Sequence, residues 1–278
     1  MNPAEYEAMY RLEDRLWWYT GMRRITAAAL GGRITGESDR LRILDAGCGT
    51  GGNLAWLAGR VRSGGRGETP ARWGGDAWGI DLSPLATAYC RRRGLTTVSR
   101  ASVLELPFGD ATFDLVTSFD VIYHLGVADD VAALREMRRV LRPGGALFVR
   151  VPALERLQSH HDVAVHTRQR YTAPELRRKA EQAGLRVERV SYANTVLLPL
   201  AAASRLGGRL RSGLSGRVGA GSVGPDSKGE DVARSDVRPA PALLNALFGA
   251  ILGLEAALLA RIDLPLGLSA FVVARRPD

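Results

Sequence analysis

The sequence predicts an α/β fold with a doubly wound, mostly parallel sheet of seven strands and an extra helical insertion before the last strand. Two observations predict it. Short apolar runs, which are typical of buried parallel strands, alternate with helical segments from residue 40 to residue 190. A last apolar run follows near the C-terminus, after a long stretch that fits no such alternation.

The predicted elements follow one another in the order that a doubly wound sheet requires. Strands are predicted over residues 40–45, 78–81, 96–99, 113–118, 146–151, 185–190 and 268–274. Helices between them are predicted over residues 53–59, 83–93, 129–141 and 172–184. Two of these helices begin with start signals: Ser83 precedes a proline, and Thr172 is followed three residues later by Glu175. Residues 142–145, with the sequence RPGG, are expected to form the turn between the third helix and a strand.

The N-terminal segment is predicted to form two short helices in front of the sheet. Apolar and aromatic residues recur at near-helical spacing over residues 4–18, and a second helical segment covers residues 22–30. Gly21 lies between the two segments and is expected to break the helix.

The composition is typical of a globular protein, with 46% hydrophobic and 24% charged residues. The net charge is +9, but every basic residue except Lys179 and Lys228 is an arginine, as in proteins from GC-rich genomes. Arginines of that origin are spread over the surface, so we do not expect a nucleic-acid partner. The two cysteines, Cys48 and Cys90, are too few for a disulfide framework, and we see no signal peptide. We therefore expect a cytoplasmic protein.

Residues 193–264 are predicted to form a helical insertion with a mobile loop at 212–239. Within it, residues 243–262 are apolar on nearly every side, with Asn245 and Glu255 as interruptions. At about 20 residues this segment approaches the length of a membrane span. Our first interpretation is a helix packed against the domain, or against a partner subunit in a homodimer. The alternative is an interfacial helix near a lipid or a lipophilic substrate.

A glycine-rich turn follows the first strand, at residues 44–52. Its glycines, among them Gly47, Gly49 and Gly52, allow the backbone to pass close to a ligand, and the next helix presents unpaired N–H groups at its start. The same glycines match the G-x-G-x-x-G pattern of dinucleotide sites, so the turn alone leaves the cofactor open.

Neighbouring residues separate the two interpretations. Asp45 lies two residues before the first glycine, where a carboxylate would repel a pyrophosphate and attract the ammonium group of a methionine moiety. Asp81 ends the second strand, where it can accept both hydroxyls of a ribose. Three further segments follow in order, at residues 101–108, 113–116 and 141–145. In order and spacing, residues 15–192 resemble the class I S-adenosylmethionine-dependent methyltransferases, which have a Rossmann-like sheet.

The resemblance implies S-adenosyl-L-methionine as the cofactor and assigns residues to its site. The cofactor-binding residues that it implies are Asp45, Gly47, Cys48, Gly49, Gly51, Asp81, Leu82, Ser102, Val103, Phe119, Arg23 and Trp18. Among them, Asp81 matches the ribose-binding acid, and Ser102 with Val103 matches the turn on the adenine side. Ser102 stands where the family often has an aspartate, but its hydroxyl can still meet the adenine amino group.

The aromatic residues Trp17, Trp18 and Tyr19, together with Arg23, resemble a lid found in a bacterial branch of this superfamily. In that interpretation Arg23 pairs with the cofactor carboxylate and the rings cover the sulfonium. The alternative is a helix that docks its aromatic residues on the core. The predicted domain organisation is a helical lid over 1–36, a methyltransferase core over 37–192, the insertion over 193–264 and a final core strand over 265–278.

Polar residues after the fourth and fifth strands are predicted to face the methyl acceptor, because ligands of doubly wound sheets bind beyond the carboxyl ends of the strands. His161 and His166 are the preferred candidates for a general base, and His124 is the second choice, since a histidine titrates in the useful range. The alternative for each is a surface or capping histidine. We expect no metal site, because the spacing of His160, His161, Asp162 and His166 matches no ligand pattern.

These observations predict an enzyme that transfers a methyl group from S-adenosylmethionine to a small or medium-sized acceptor, with an oxygen as the preferred acceptor atom. The long insertion resembles arrangements in bacterial methyltransferases of lipid or glycan pathways. That resemblance implies a lipid- or glycan-type acceptor and peripheral membrane contact through residues 195–262. Two alternatives stay open: a protein that binds the cofactor without turnover, and an NAD-dependent oxidoreductase.

Overall fold

The computed structural model describes residues 2–31, 41–59, 75–154, 167–199 and 239–278. Three predicted histidines, His160, His161 and His166, lie outside these ranges. So does the loop predicted at 212–239, apart from its last residue.

A seven-stranded sheet forms the centre of the molecule. Its strands are β1 (Leu41–Ala46), β2 (Gly75–Asp81), β3 (Val98–Arg100), β4 (Phe113–Phe119), β5 (Leu141–Pro152), β6 (Arg186–Ala193) and β7 (Ser269–Arg275). Their order is β3-β2-β1-β4-β5-β7-β6, with β7 antiparallel to both of its neighbours and the other pairs parallel. The predicted seven-stranded, mostly parallel sheet is confirmed. A dinucleotide-binding sheet has the strand order 3-2-1-4-5-6, so the inserted antiparallel strand distinguishes this topology from it.

Helices cover both faces of the sheet. They are α1 (Pro3–Leu12), α2 (Trp17–Leu30), α3 (Gly52–Leu57), α4 (Pro84–Arg92), α5 (Asp130–Val140), α6 (Ala173–Gln182) and α7 (Ala242–Leu259). Leu134 of α5 and Leu176 of α6 are buried against one face, whereas Ile25, Trp56 and Leu252 belong to the core on the other face. Apolar residues on both sides of the sheet are what near-continuous apolar strands require.

Both predicted helix starts are present. Ser83 Oγ accepts the N–H of Ala86 at 3.4 Å, and Thr172 Oγ1 accepts the N–H of Glu175 at 3.3 Å. The apolar segment of the insertion also forms a helix, α7, as predicted.

The prediction for the N-terminal helices is wrong in its break point. The chain leaves the helical path after Leu12, where Glu13 and Asp14 form ion pairs with Arg93 at 2.7 and 2.6 Å, and α2 then continues through Gly21 without interruption. A Cβ atom on Gly21 would lie 2.4 Å from Cδ1 of Leu252 in α7. This glycine therefore permits the close packing of α2 on α7 and does not end a helix.

The prediction for residues 142–145 is also wrong. Strand β5 begins at Leu141, directly after α5, and includes the segment that was expected to form a turn. The pairing of β4 with β5 shifts register between Phe113 and Leu115, and Gly144 has a φ of +70°. A local irregularity in the ladder thus accommodates the glycines within the strand.

Candidate active site

A cavity of about 730 Å³ opens at the carboxyl edge of the sheet, where the N-terminal helices also reach it. Most of the predicted cofactor residues line it: Gly47, Cys48, Gly49, Asp81, Leu82, Ser102, Val103, Phe119 and Trp18. Asp45, Gly51 and Arg23 do not line it. Such a position, beyond the carboxyl ends of parallel strands, is where ligands of doubly wound sheets bind.

The glycine-rich turn has the conformation that its sequence predicts. Gly47, Gly49 and Gly51 have φ angles of +92°, +55° and +89°. The N–H groups of Gly47 and Cys48 both donate to the carbonyl of Ile80 at 2.9 Å, which fixes the turn to the end of β2. A Cβ atom on Gly47 would lie 2.3 Å from Val121, so a larger residue would displace the chain that follows β4.

Asp81 joins this turn to the start of α4. Its two carboxylate oxygens accept the N–H groups of Gly49 at 3.0 Å and Ser83 at 2.9 Å, and burial raises the pKa of the carboxyl group. Each oxygen has a further lone pair, and the residue lines the cavity. Asp81 can therefore still accept a hydroxyl of a ligand, as predicted for the ribose.

Asp45 lies buried in β1, directly before the turn. Its Oδ1 accepts the hydroxyl of Thr117 at 2.9 Å, and its Oδ2 has no hydrogen-bond partner among the residues that the structure describes. Burial raises the pKa of Asp45 to about 7. A cation in the cavity would favour the ionised carboxylate, so an ammonium group of the implied cofactor fits this residue electrostatically. Direct contact between Asp45 and the cofactor stays a prediction.

The adenine-side turn is held by its own serine. Ser102 Oγ accepts the N–H of Leu104 at 3.1 Å, and Ser102 also forms an isolated bridge with Glu105. The hydroxyl hydrogen of Ser102 can still donate to a ligand. Val103 is buried beside it and offers an apolar surface to the cavity.

Helix α1 contributes Glu5, Tyr6 and Met9 to the cavity lining, and Glu13 lines the cavity directly after the helix. Sequence reasoning assigned none of the four to the site. Met9 Cε would lie 3.1 Å from a Cβ atom on Gly49, so α1 covers the glycine-rich turn. Burial raises the pKa of Glu13, which accepts hydrogen bonds from Thr50 and Arg93. No motif marks these residues. The burial of Glu13 depends on where α1 packs, so the sequence alone does not identify this residue as part of the site.

Arg23 lies in the layer behind the cavity. Its Nε donates to Asn53 Oδ1 at 3.1 Å, and Asn53 lines the cavity. Its Nη1 and Nη2 are buried and have no hydrogen-bond partner within the described ranges, and burial lowers the pKa of the guanidinium. The pairing of Arg23 with the cofactor carboxylate stays a prediction.

Trp18 was predicted to cover the sulfonium of the cofactor, but in the structure its ring contacts a cation of the protein. The guanidinium carbon of Arg150 lies 5.2 Å from the Trp18 ring centroid and 5.3 Å from that of Phe119. Arg150 also forms a buried ion pair with Asp120, whose φ is +56°. Trp18 therefore stacks on a cation of the protein, and this aromatic and ionic group forms a wall of the cavity beyond the end of β4.

At the end of the cavity beyond β5 and β6, some buried polar atoms have no hydrogen-bond partner among the residues described. Asn194 follows β6, Ser269 begins β7 beside it, and Thr167 bridges to His124. Asn194 Oδ1 and Thr167 Oγ1 are buried and have no hydrogen-bond partner among the residues described. Because buried polar atoms are usually paired, these atoms are suited to bind polar groups of a ligand. Neither residue belongs to a recognisable motif.

His124 is the one predicted base that lies within the described residues, and it lines the cavity. Its Nδ1 accepts the N–H of Gly126 at 3.1 Å. With Nδ1 as an acceptor, the neutral ring carries its proton on Nε2. In this tautomer Nε2 can donate a hydrogen bond to a ligand. The role of His124 as a general base stays a prediction. The general-base predictions for His161 and His166 remain untested, and no group of metal-ligating residues occurs in the part of the chain that the structure describes.

Comparisons with known proteins agree with this geometry. Residues 44–149 match the family model described as a methyltransferase domain. The chain is 32% identical over 159 residues to the ubiquinone biosynthesis O-methyltransferase of Xanthomonas oryzae pv. oryzae, covering 53% of this chain and 60% of that protein. It is 39% identical over 108 residues to the fatty-acid O-methyltransferase of Mycolicibacterium smegmatis, covering 37% and 34% respectively. The chain thus spans 60% or less of the length of these relatives.

The whole fold also has a counterpart among solved structures. An S-adenosylmethionine-dependent methyltransferase from Mesorhizobium loti superposes with a TM-score of 0.51 at 18% identity, over 91% of this chain and 100% of that chain. At this identity the likeness concerns the fold, and it includes the elements outside residues 44–149.

Proposed function

Since the chain belongs, through residues 44–149, to the class I S-adenosylmethionine-dependent methyltransferase superfamily, we propose that it transfers the methyl group of this cofactor to an oxygen of a small or medium-sized acceptor. One observation carries the proposal. A single cavity extends from the glycine-rich turn and Asp81 to the unpartnered polar atoms of Asn194 and Thr167. It therefore offers a cofactor end and an acceptor end in one continuous cavity.

At the cofactor end, the chain's own residues provide binding and orientation. Asp81 accepts the ribose hydroxyls, Ser102 and Val103 contact the adenine, and the backbone of Gly47 and Gly49 allows close approach. Asp45 is buried directly before the turn and can supply a negative charge there when a cation in the cavity favours its ionised form. Bound S-adenosylmethionine supplies the electrophilic methyl group, so the protein needs mainly to align the acceptor with it.

At the acceptor end, polar residues orient the incoming molecule and aromatic residues exclude water. Asn194 and Thr167 bind its polar group, and His124 donates a hydrogen bond from Nε2. Trp18 and Phe119, stacked on Arg150, form an aromatic wall of this space. Oxygen is preferred because two of the relatives carry the names of O-methyltransferases. The general base, where the acceptor needs one, is His161 or His166.

The test is formation of S-adenosylhomocysteine from S-adenosylmethionine, measured across a panel of phenols, alcohols, carboxylic acids and amines. We expect turnover with at least one oxygen acceptor. Turnover with amines alone would contradict oxygen as the acceptor atom. Tight binding of S-adenosylmethionine without turnover on any member of the panel would favour a binding protein instead.

A further inference from the structure

The outward face of α7 is apolar along its whole length. Leu243, Leu247, Leu254 and Leu258 are exposed by 80%, 51%, 74% and 44%. The exposed positions between them are Leu244 and the alanines Ala246, Ala250 and Ala257. Helix α7 has 18 residues and is about 27 Å long. A continuous apolar face of this length is larger than the apolar patches that an ordinary protein surface exposes.

The opposite face of α7 is firmly attached to the protein. Leu252, Ala256 and Leu259 are buried there, and Leu252 packs against Gly21 of α2. Glu255 is buried on this face, and its carboxylate accepts backbone N–H groups of Asn194, Thr195 and Val196. By length and composition alone α7 could cross a membrane. With this face packed and bonded, it is placed to lie on a membrane and not to cross one.

Basic residues stand at both ends of the apolar face. The carbonyl of Arg15 accepts a hydrogen bond from Asn245 Nδ2 at 3.0 Å, which places this exposed arginine beside the first turn of α7. Arg261 is exposed just after the last turn. Neither arginine forms an ion pair with any residue that the structure describes, and the outward face carries no acidic residue. The chain as a whole has a net charge of +9.

From these observations we infer that the outward face of α7 docks on an anionic bilayer surface. The leucines enter the boundary between headgroups and acyl chains, and Arg15 and Arg261 contact the anionic headgroups. Trp17 connects this surface to the cavity, because it lines the cavity and its ring lies 5.1 Å from that of Phe248 in α7. An amphiphilic acceptor dissolved in the bilayer would thus meet the cavity beside the docked helix. The docking itself does not depend on the proposed methyl transfer.

The experiment is co-sedimentation of the full chain with phosphatidylcholine vesicles and with mixed phosphatidylcholine–phosphatidylglycerol vesicles, in the absence of cofactor. We expect binding to the mixed vesicles, weaker binding to the neutral ones, and further weakening with salt. The triple variant Leu243→Gln, Leu247→Gln, Leu254→Gln should reduce partitioning at least about tenfold, since it removes the apolar surface that inserts. Leu125→Gln is the matched control, because Leu125 is 61% exposed and lies far from α7 in the sequence.

A second measurement reports insertion directly. Cys48 and Cys90 are buried, so a fluorophore can be attached selectively to a Leu254→Cys variant, with Leu125→Cys as the control. We expect brominated lipids to quench the label at 254 and not the label at 125. The inference is overturned if the native chain sediments with neither vesicle, or if the triple variant binds as the native chain does. It is also overturned if the chain forms a dimer that the triple variant dissociates while vesicles leave the label at 254 unquenched.

Discussion

Glu255 holds the backbone of Thr195 with both of its carboxylate oxygens, at 3.0 and 3.2 Å from the Thr195 nitrogen. The bonds join α7 to the chain that leaves β6, where Asn194 adopts a φ of +61° and lines the cavity. Helix α7 thus supports the acceptor end of the cavity from its buried face. Its exposed face is the surface that we assign to the bilayer.

Replacing Glu255 by alanine should destabilise the protein. The N–H groups of Asn194, Thr195 and Val196 would lose their acceptor in a buried environment, and we expect the free energy of unfolding to fall by about 2–4 kcal/mol. Urea denaturation measures it. Glu181→Ala serves as the control, because Glu181 is half-exposed and lies on α6. Equal stability of the two variants would show that these bonds contribute nothing.

Asp81→Ala should weaken the binding of S-adenosylmethionine by about 1.5–3 kcal/mol, which is the scale of lost charge-assisted hydrogen bonds. The side chain lines the cavity and also orders the turn at Gly49, so both effects act in the same direction. Calorimetric titration measures the affinity, and a thermal melt of the unliganded variant separates loss of binding from loss of folding. Unchanged affinity would remove Asp81 from the site.

The buried carboxyl group of Asp45 predicts a pH dependence of stability with a definite sign. Its pKa is raised to about 7 in the folded protein, whereas the unfolded chain ionises near 4. Between these values the folded state binds the extra proton, so the free energy of unfolding falls as the pH rises from about 4 to about 7. The decrease is about 1.4 kcal/mol per pH unit from this group.

The variant Asp45→Asn isolates this effect. An amide cannot ionise, so the free energy of unfolding of the variant should lose the part of its pH dependence that comes from Asp45. The other charged groups that act on the pKa of Asp45 are the same in both proteins: Arg150, Asp81 and Glu13. Urea unfolding of both proteins across this pH range provides the comparison. Parallel curves for the two proteins would refute the raised pKa.

One of the two histidines His161 and His166 should be needed for turnover but not for cofactor binding. Replacing the general base by alanine is expected to lower kcat by about 10²–10⁴-fold, with the affinity for S-adenosylmethionine unchanged. His160→Ala is the neighbouring control. The rate of the native enzyme should rise with pH as the base loses its proton. Full activity in both the His161 and the His166 variants would rule out a histidine base from this segment.

Local signals in the sequence identified residues that the structure brings together at one end of the cavity, because that end is built by short segments. Their contact with the cofactor stays a prediction. The glycines of the turn and Asp81 lie at strand ends, where a few neighbouring residues determine the conformation. The acceptor end is assembled differently. Arg150 lies in β5, Asn194 directly follows β6 and Ser269 begins β7. These residues meet only because β7 inserts between β5 and β6, and no spacing in the sequence predicts that pairing.

Gly21 shows the same limit for helices. Its low helix propensity predicted a break, but the tertiary contact with Leu252 outweighs propensity and uses the missing side chain for close packing. Glu13 is the converse case, since its burial against Thr50 and Arg93 depends on where α1 rests. In both positions the decisive partner lies far away in the chain.

Calorimetric titration of the full chain with S-adenosylmethionine, and in parallel with NAD, tests the central claim most directly. We predict saturable binding of one S-adenosylmethionine per chain, competition by S-adenosylhomocysteine, and no heat of binding with NAD. Binding of NAD without binding of S-adenosylmethionine would contradict the assignment of the cavity and, with it, the proposed methyl transfer.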